Sequence, residues 1–523
     1  MKQCLYIVFT LCTLLGFIGC NEKPIKYPAA PAGSLSIADN RTIVRLNNSI
    51  DSFEVTFTST CDWHITTTGK AFSVSPMKGA GSTEPQKITI SALSENVSEK
   101  AVTRGRFDIC LDGYSTKHTI KVVQCAVPDR TILAYFFGTS LSYFFDINID
   151  CMKQAIAFDI LGNDRLLVLV QTSRYKGVIK ELYYDSSSKQ GAENIICEID
   201  IPSSFDGEKF GETLSKIMQI APAENYAMIV GGHSTAWLPN IPASGGTPFK
   251  AGYGYRPNWS PAIGAEITRT IGENNVKLNI EDFAAGLSAT NQLFDWIYFD
   301  VCFMSSIEAS YALRNNTKYV IGSPCEIMGY GSPFDQLLDD LVVDNFDAAC
   351  RAYRDYYAND HYGSNSGCIA TIVCDQLDNL ASIVKSLNQE SVSTDLNVLS
   401  LQTYEGRSAH IFYDIEDYVI NAYGNNPLIS TFCAQLDKTV INRYHTEKFY
   451  STYNAQLNDI HHYSGINFTP DEACISVLDH QIKDLESSGQ DSGANYTNLQ
   501  NQFRELNHYL PSLRNTEWYK ATH

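Results

Sequence analysis

The sequence predicts an α/β protein: a mostly parallel sheet flanked by helices, preceded by a small all-β sandwich. Three observations carry this reading. Between residues 35 and 126, short alternating segments rich in Thr, Val, Ile and Phe are separated by Gly, Ser and Asn, the pattern of antiparallel strands with one buried face. From about residue 130, continuous apolar runs alternate with helical patterns, and strands buried on both faces need helices to cover them. The chain has 523 residues, 44% of them hydrophobic, enough for more than one core.

The first element is the N-terminal run "MKQCLYIVFTLCTLLGFIGCNEK". Its apolar stretch from Leu5 to Gly19 is too short to span a bilayer comfortably, and its flanks fit a secretory signal over residues 1–19. The "GFIGC" end resembles a bacterial lipobox, with Phe17 where Leu is usual. That resemblance implies cleavage before Cys20, a lipid on its thiol, and an exported protein anchored to the bacterial outer membrane, on its periplasmic or cell-surface face. A plain cleaved signal is the alternative. Residues 20–34 then read as a lipid-anchored linker, rich in Pro and Ala and without periodicity.

Strands are expected at "SIDSFEVTFTS", "DWHITTTG", "QKITISAL", "GRFDICLDG" and "HTIKVVQ". Trp63 reads as a core anchor, because sandwiches usually bury one large aromatic. With "SPMKGAGS" and the closing "IKVVQ", residues 35–126 resemble a BACON domain, a module common at the front of exported Bacteroidetes proteins. The resemblance implies a spacer or a carbohydrate-binding module, so glycans enter as a candidate partner.

The second region runs over 130–390. Strands are expected at "TILAYFFG", "DRLLVLVQTS", "GVIKELYYD", "NYAMIVGG", "FDWIYFDVC" and "TKYVIGSP", with helices over 141–158, 211–220, near 306–314 and from about Pro333. In the last, Phe334, Leu337, Leu338 and Leu341 fall on one face. Residues 391–523 mix helical segments with aromatic pieces such as "IHHYSGINF", expected to pack on the same core or form a subdomain.

Composition excludes several classes. A net charge of −19 argues against a nucleic-acid partner and against adhesion to anionic lipid. The 15 cysteines include no CxxC pair and no zinc-like spacing, so no metal ligands are assigned. His461 and His462 are adjacent, which reads as a loop feature.

Ligands of an open parallel sheet gather at the C-terminal ends of its strands. "NYAMIVGGH" delivers His233 there and "FDWIYFDVC" delivers Cys302; if the two strands are parallel neighbours, both side chains emerge at one edge. Ser305-x-x-Glu308 has capping-box spacing, and a helix N-terminus beside Cys302 is expected to stabilise a thiolate. His233 can then shuttle the proton. Each residue also has a plainer reading: a small packed thiol, and a loop histidine after Gly-Gly.

Three ordered blocks, "YAMIVGGHSTAW", "FDWIYFDVCFMSSIEASYAL" and "TKYVIGSPCEIMGYGSPFDQLLDDL", resemble the clostripain family of cysteine peptidases. The resemblance covers roughly 130 to 345, and "HYSGINF" and "TEWYK" are similar to members from gut bacteria. It implies a caspase-like α/β core over 130–390, with 391–523 as the C-terminal part of the peptidase region. It also implies a cysteine endopeptidase with polypeptide substrates, in which His233 is the acid–base and Cys302 the nucleophile of a thioester mechanism. Asp300 matches the family acid that lines the primary specificity pocket and selects Arg or Lys; a local turn or cap group is its plainer reading. Glu326 falls in the loop resembling that pocket's wall, where it can bind substrate or be an exposed loop acid. The backbone N–H groups of Ser234 and Cys302 are the expected oxyanion hole. No cofactor is required by such chemistry. Some relatives use calcium, so calcium stays open, although no acidic loop has EF-hand spacing.

The sequence departs from its relatives after the histidine. They usually read His-Gly-x-Gly-Trp; here His233-Ser234-Thr235-Ala236-Trp237 stands instead. If those positions need positive φ, Ser and Ala strain the backbone. A second reading therefore stays open: a catalytically weak or inactive peptidase-like surface protein that binds peptides or glycans. Between the two reactive residues, 238–264 is rich in Gly and Pro and reads as a long exposed loop. Family members often process themselves in this interval, and Lys250 and Arg256 are the candidate cleavage points.

Overall fold

The computed structural model describes residues 33–38, 40–98, 100–238, 271–273, 275–359 and 365–523. The signal segment, Cys20, Lys250 and Arg256 lie outside the described residues. No helix among the described residues is long and apolar enough to cross a membrane.

The N-terminal region has nine strands: β1 (Leu35–Ile37), β2 (Ile43–Leu46), β3 (Ser52–Ser59), β4 (Trp63–Gly69), β5 (Phe72–Ser75), β6 (Lys78–Gly79), β7 (Ser82–Ala92), β8 (Val102–Leu111) and β9 (Lys117–Gln124). They form two sheets, β1-β3-β7-β5 and β2-β9-β8-β4-β6. Every pairing is antiparallel except β2 with β9. Alternation sends Val55, Phe57, Ile88, Ile90, Phe107 and Ile109 into a shared core. Trp63 is 2% exposed, packs edge-on to Phe57, and its Nε1 donates to Gln86 Oε1 at 2.9 Å. It is part of the core and offers no face to a sugar.

The second region is built on β10 (Arg130–Phe136), β11 (Arg165–Ser173), β12 (Lys176–Asp185), β13 (Gln190–Asp200), β14 (Asn225–Gly231), β15 (Phe294–Asp300), β16 (Thr317–Gly322) and β17 (Cys368–Val373). After the short β18 (Tyr413–Asp414), β19 (Val440–His445) completes a sheet ordered β13-β12-β11-β10-β14-β15-β16-β17-β19. The expectation of a mostly parallel sheet needs correcting. Parallel pairing is confined to the central run β11-β10-β14-β15-β16, and both flanks are antiparallel. The reason at one flank is connection length. Residues 186–189 are too few for a crossover, so β12 and β13 can only form a hairpin; Asp185 turns it by accepting from Ser187 N and Ser188 Oγ.

Helices cover both faces. Ser142–Ile156, Phe334–Val342 and Phe346–Ala358 pack on the face that receives Trp296 and Tyr298. Gly207–Ile220 and Ile280–Ala289 pack on the face that receives Ile297 and Phe299. Both strand faces of β15 are thus buried, as a continuous apolar run requires. Residues from 391 onward join the same core, supplying Tyr404, Phe449 and Trp518 to it as well as β19 to the sheet.

The two regions meet through a buried ion network. Glu181 on β12 accepts from Arg165 Nε at 3.0 Å and lies 3.2 Å from the Nε of Arg45 on β2. Arg165 also reaches Asn47, and Arg41 Nη2 donates to the Ile195 carbonyl at 2.7 Å.

Candidate active site

The sheet register assembles the site. Phe136 on β10 pairs with Gly231 on β14, and Gly231 pairs with Asp300 on β15. Gly138, His233 and Cys302 therefore each lie two residues beyond one rung of three neighbouring parallel strands. The condition for His233 and Cys302 to leave the sheet at one edge is met by this pairing.

Cys302 is partly exposed, yet protein packs densely around its sulfur. Burial pushes the thiol well up from its ordinary value, and nearby Glu326 adds to this, while the Ile327 N–H donates to Sγ at 3.4 Å and opposes it. The expected thiolate at a helix N-terminus is not what the structure shows. The helix begins at Ile307 and is a single short element, Ile307–Leu313, capped by Ser306 rather than Ser305. Ser305 Oγ instead donates to the Gly465 carbonyl at 2.5 Å. Glu308 accepts from Ser306 Oγ at 2.6 Å and from Thr469 N at 2.7 Å, so it joins the C-terminal segment to the helix start. The resting thiol is accordingly neutral, and a base must take its proton before it can attack.

His233 is that candidate. Its Nε2 lies 3.1 Å from Ser140 Oγ, and its carbonyl accepts from Gly272 N at 2.9 Å. Burial lowers its pKa, and the carboxylate of Glu273 opposes the shift. Glu273 Oε1 accepts from the backbone N–H of Thr139 and, at 2.7 Å, of Ser140. Burial works to raise the Glu273 pKa, but these bonds, the Ser140 side chain and His233 outweigh it and leave it below the ordinary value. Gly138, at φ +90, makes room: a Cβ there would sit 2.3 Å from Glu273 Cγ. Sequence reasoning missed Ser140 and Glu273. The one sequence signal is the "GTS" that ends "TILAYFFG", and nothing local joins it to "IGENN".

Asp300 is 6% exposed. Its Oδ1 accepts from Ser332 Oγ at 2.7 Å, and Ser332 Oγ lies 2.7 Å from the Tyr298 hydroxyl. Gly331 (φ +67) closes over it: a Cβ there would stand 2.4 Å from Asp300 Oδ2, so glycine is required on both counts. Burial pushes the Asp300 carboxyl up to about 6, against the Ser332 hydrogen bonds. No Lys or Arg pairs with it among the described residues.

Glu326 is 7% exposed, so it is not an exposed loop acid. Its oxygens accept from Ser451 Oγ at 2.5 Å and from Thr452 N at 3.0 and 3.1 Å, and Thr452 Oγ1 also donates to it. These bonds hold its carboxylate on the C-terminal segment.

Ser234 and Cys302, the expected oxyanion donors, follow β14 and β15. Among the described residues neither N–H has a hydrogen-bond acceptor. Ser234 has no positive φ, and its Oγ accepts from Ala236 N at 3.0 Å. Ala236 does lie at φ 55. Of the two glycines missing from the family pattern, one stood where any residue fits, and one where an L side chain strains the backbone by about 1 kcal/mol. Among the described residues no group of three or more His, Cys, Asp or Glu side chains is placed to hold a metal ion.

Residues 258–508 match the family model of the clostripain family, Peptidase_C11. Among solved structures the chain resembles a secreted C11 cysteine protease from Bacteroides thetaiotaomicron, with 25% identity and a TM-score of 0.60, over 76% of this chain and 99% of that one. Together these matches make residues 258–508 a clostripain-family region, and the chain is a cysteine-type peptidase. The clostripain-family fold is shared with two further structures. One is an inactive zymogen C11 protease from Parabacteroides distasonis, at 24% identity and a TM-score of 0.55, covering 76% of this chain and 99% of that one. The other is a secreted C11 cysteine protease from Bacteroides thetaiotaomicron in complex with an irreversible peptide inhibitor, at 21% identity and a TM-score of 0.57, with the same 76% and 99% coverage. No curated protein matches the chain.

Proposed function

We propose that this clostripain-family peptidase cuts polypeptides after Arg or Lys through a dyad of His233 and Cys302. The observation that supports the reading most is the shared rung of Gly231 and Asp300, which puts base, nucleophile and a buried unpaired carboxylate at one sheet edge. His233 takes the Cys302 proton, and the sulfur attacks the scissile carbonyl carbon. The N–H groups of Ser234 and Cys302 donate to the oxyanion. The C–N bond breaks as His233 returns the proton to the leaving amine, and a thioester remains. Water then attacks with His233 as base, releasing the acid and restoring the thiol. Asp300, beside Gly331 and Ser332, attracts the cationic side chain before the scissile bond.

The test is a set of fluorogenic peptides ending in Arg, Lys or Asp, assayed with wild type and Cys302→Ala. Turnover of the Arg or Lys peptide, lost in the variant, is the expected result; equal turnover by both proteins defeats the dyad. The neutral Cys302 thiol and the strained Ala236 favour one alternative, a weakly active or inactive peptide-binding scaffold, which predicts saturable peptide binding without turnover. We further propose self-cleavage at Lys250 or Arg256, read from a reducing gel of wild type beside Cys302→Ala, and lipid attachment at Cys20 on an exported chain, read by radiolabelled fatty acid incorporation with Cys20→Ala as the blank.

A further inference from the structure

We propose that Glu273 and Ser140 are positioning residues that set the tautomer and orientation of His233, the carboxylate holding the serine and the serine holding Nε2 of the ring. The inference rests on the dyad reading above and extends it to two residues outside the dyad.

The geometry is continuous. Ser140 Oγ stands 3.1 Å from His233 Nε2. Glu273 Oε1 accepts from the N–H of Ser140 at 2.7 Å and from the N–H of Thr139, which fixes the backbone that carries the hydroxyl. The loop is fixed from both ends: Gly138 N donates to Gln171 Oε1 at 3.0 Å, and Gly272 N, one residue before Glu273, donates to the His233 carbonyl at 2.9 Å. Any Cβ at position 138 would collide with the Glu273 side chain. Ring, hydroxyl and carboxylate thus come from three separate stretches of chain and meet through the pairing of β10 with β14 and the bond from Gly272 N to the His233 carbonyl.

Hydrogen-bond polarity fixes what this does. An ionised carboxylate only accepts. The Ser140 hydroxyl, which can donate or accept, is assigned the acceptor's part towards Nε2–H of His233, the polarity that turns the N–H side of the ring to the Glu273 carboxylate. The proton of the neutral ring is then on Nε2, and Nδ1 carries the lone pair that removes the Cys302 proton. When the ring becomes imidazolium, the same chain places a negative carboxylate behind a positive ring and keeps it protonated for the leaving amine. Burial works against the charged ring, and Glu273 is the charged group that offsets it; Ser140, in the loop after β10, is the side chain within hydrogen-bond reach of the ring. Ordinary structural clamping explains the hold of Glu273 on residues 138–140, but it does not predict an effect on ring protonation.

The experiment measures kcat/KM of the full chain against pH on an Arg-ending peptide. It compares wild type, Ser140→Ala, Ser140→Thr, Glu273→Gln and Cys302→Ala, with a thermal melt of each. Ser140 is exposed, so Ser140→Ala is expected to fold even where Glu273→Gln does not. Expected results are a fall of about tenfold in kcat for Ser140→Ala, recovery in Ser140→Thr, and an acid limb, where His233 takes up a proton and ceases to be a base, displaced to lower pH by about one pH unit in Glu273→Gln and Ser140→Ala. Loss of turnover in Cys302→Ala together with an unmoved acid limb in both variants overturns the relay and leaves the dyad standing. Wild-type turnover in Cys302→Ala overturns the dyad and the relay with it.

Discussion

The two edges of the core sheet treat buried charge in opposite ways. At the strand starts, cations are answered by anions. Arg130, 8% exposed, has Asp344 at 2.6 Å, Asp164 at 3.3 Å and Asp295 at 3.6 Å, and Arg165 has Glu181 at 3.0 Å. At the strand ends Glu273, Asp300, Glu308 and Glu326 are all buried, and none pairs with Lys or Arg among the described residues. Their partners are the N–H and O–H groups of Ser140, Ser332, Ser306, Thr469, Ser451 and Thr452. Neutral donors orient a carboxylate without cancelling its charge, so burial carries Asp300, Glu308 and Glu326 upward in pKa. One edge is finished as a foundation, and the other keeps its acids without a cation, a reserve of negative charge on which the proposed Arg or Lys preference rests.

The largest effect is expected where the finished edge is broken. Glu181→Ala leaves Arg45 and Arg165 buried without their anion and lowers stability by about 3–5 kcal/mol; urea unfolding followed by fluorescence measures it. Activity per folded molecule should not change, and a loss of activity without a loss of stability would erase the contrast between the edges.

Next comes Asp300→Asn, which removes the reserve charge. On the proposed reading, kcat/KM for an Arg peptide falls by about 3 kcal/mol, roughly a hundredfold, when one member of a desolvated charge pair is lost. The wild type also loses Arg-peptide kcat/KM as pH drops below about 6, where Asp300 takes up a proton, while Asp300→Asn has no such limb.

A subtler test concerns stability and pH. Glu308 has its carboxyl pushed up to about 7 by burial, against the bonds from Ser306 and Thr469, from an ordinary 4.5. The folded state therefore holds its proton more tightly than the unfolded state. Its stabilising share is complete below pH 4.5 and is lost as pH rises through 7, on the order of 3 kcal/mol. In Glu308→Gln the difference between urea midpoints at pH 5 and pH 8 should shrink; an unchanged difference would show that this acid is not carried uncompensated.

The smallest effect is at Ala236. Ala236→Gly relieves the positive φ and should raise stability by about 1 kcal/mol in a thermal melt, with Ser234→Gly giving no such gain because Ser234 has no positive φ.

Much of this contrast was hidden from the sequence, for physical reasons. Local periodicity announced the helix of Phe334, Leu337, Leu338 and Leu341, all fully buried, and the continuous run of β15. The same kind of apolar run cannot state the direction of its neighbour, so the antiparallel flanks went unforeseen until the short 186–189 turn was placed. The helix start near Ser305 was misassigned by one residue, because the Ser305 hydroxyl is taken by the carbonyl of Gly465, far along the chain. Asp300, His233 and Cys302 stand out as residues at strand ends. Ser140 and Glu273 do not, since they meet only after β10 is inserted beside β14.

The bond from Gly272 N to the His233 carbonyl pins together the two flanks of the stretch that holds Lys250 and Arg256. A nick inside that stretch would leave the two fragments joined at its flanks, one through the strand that carries the imidazole, the other through the residue beside Glu273. Scission there would yield a two-piece protein that still behaves as one, with fragments parting in denaturant and not in buffer.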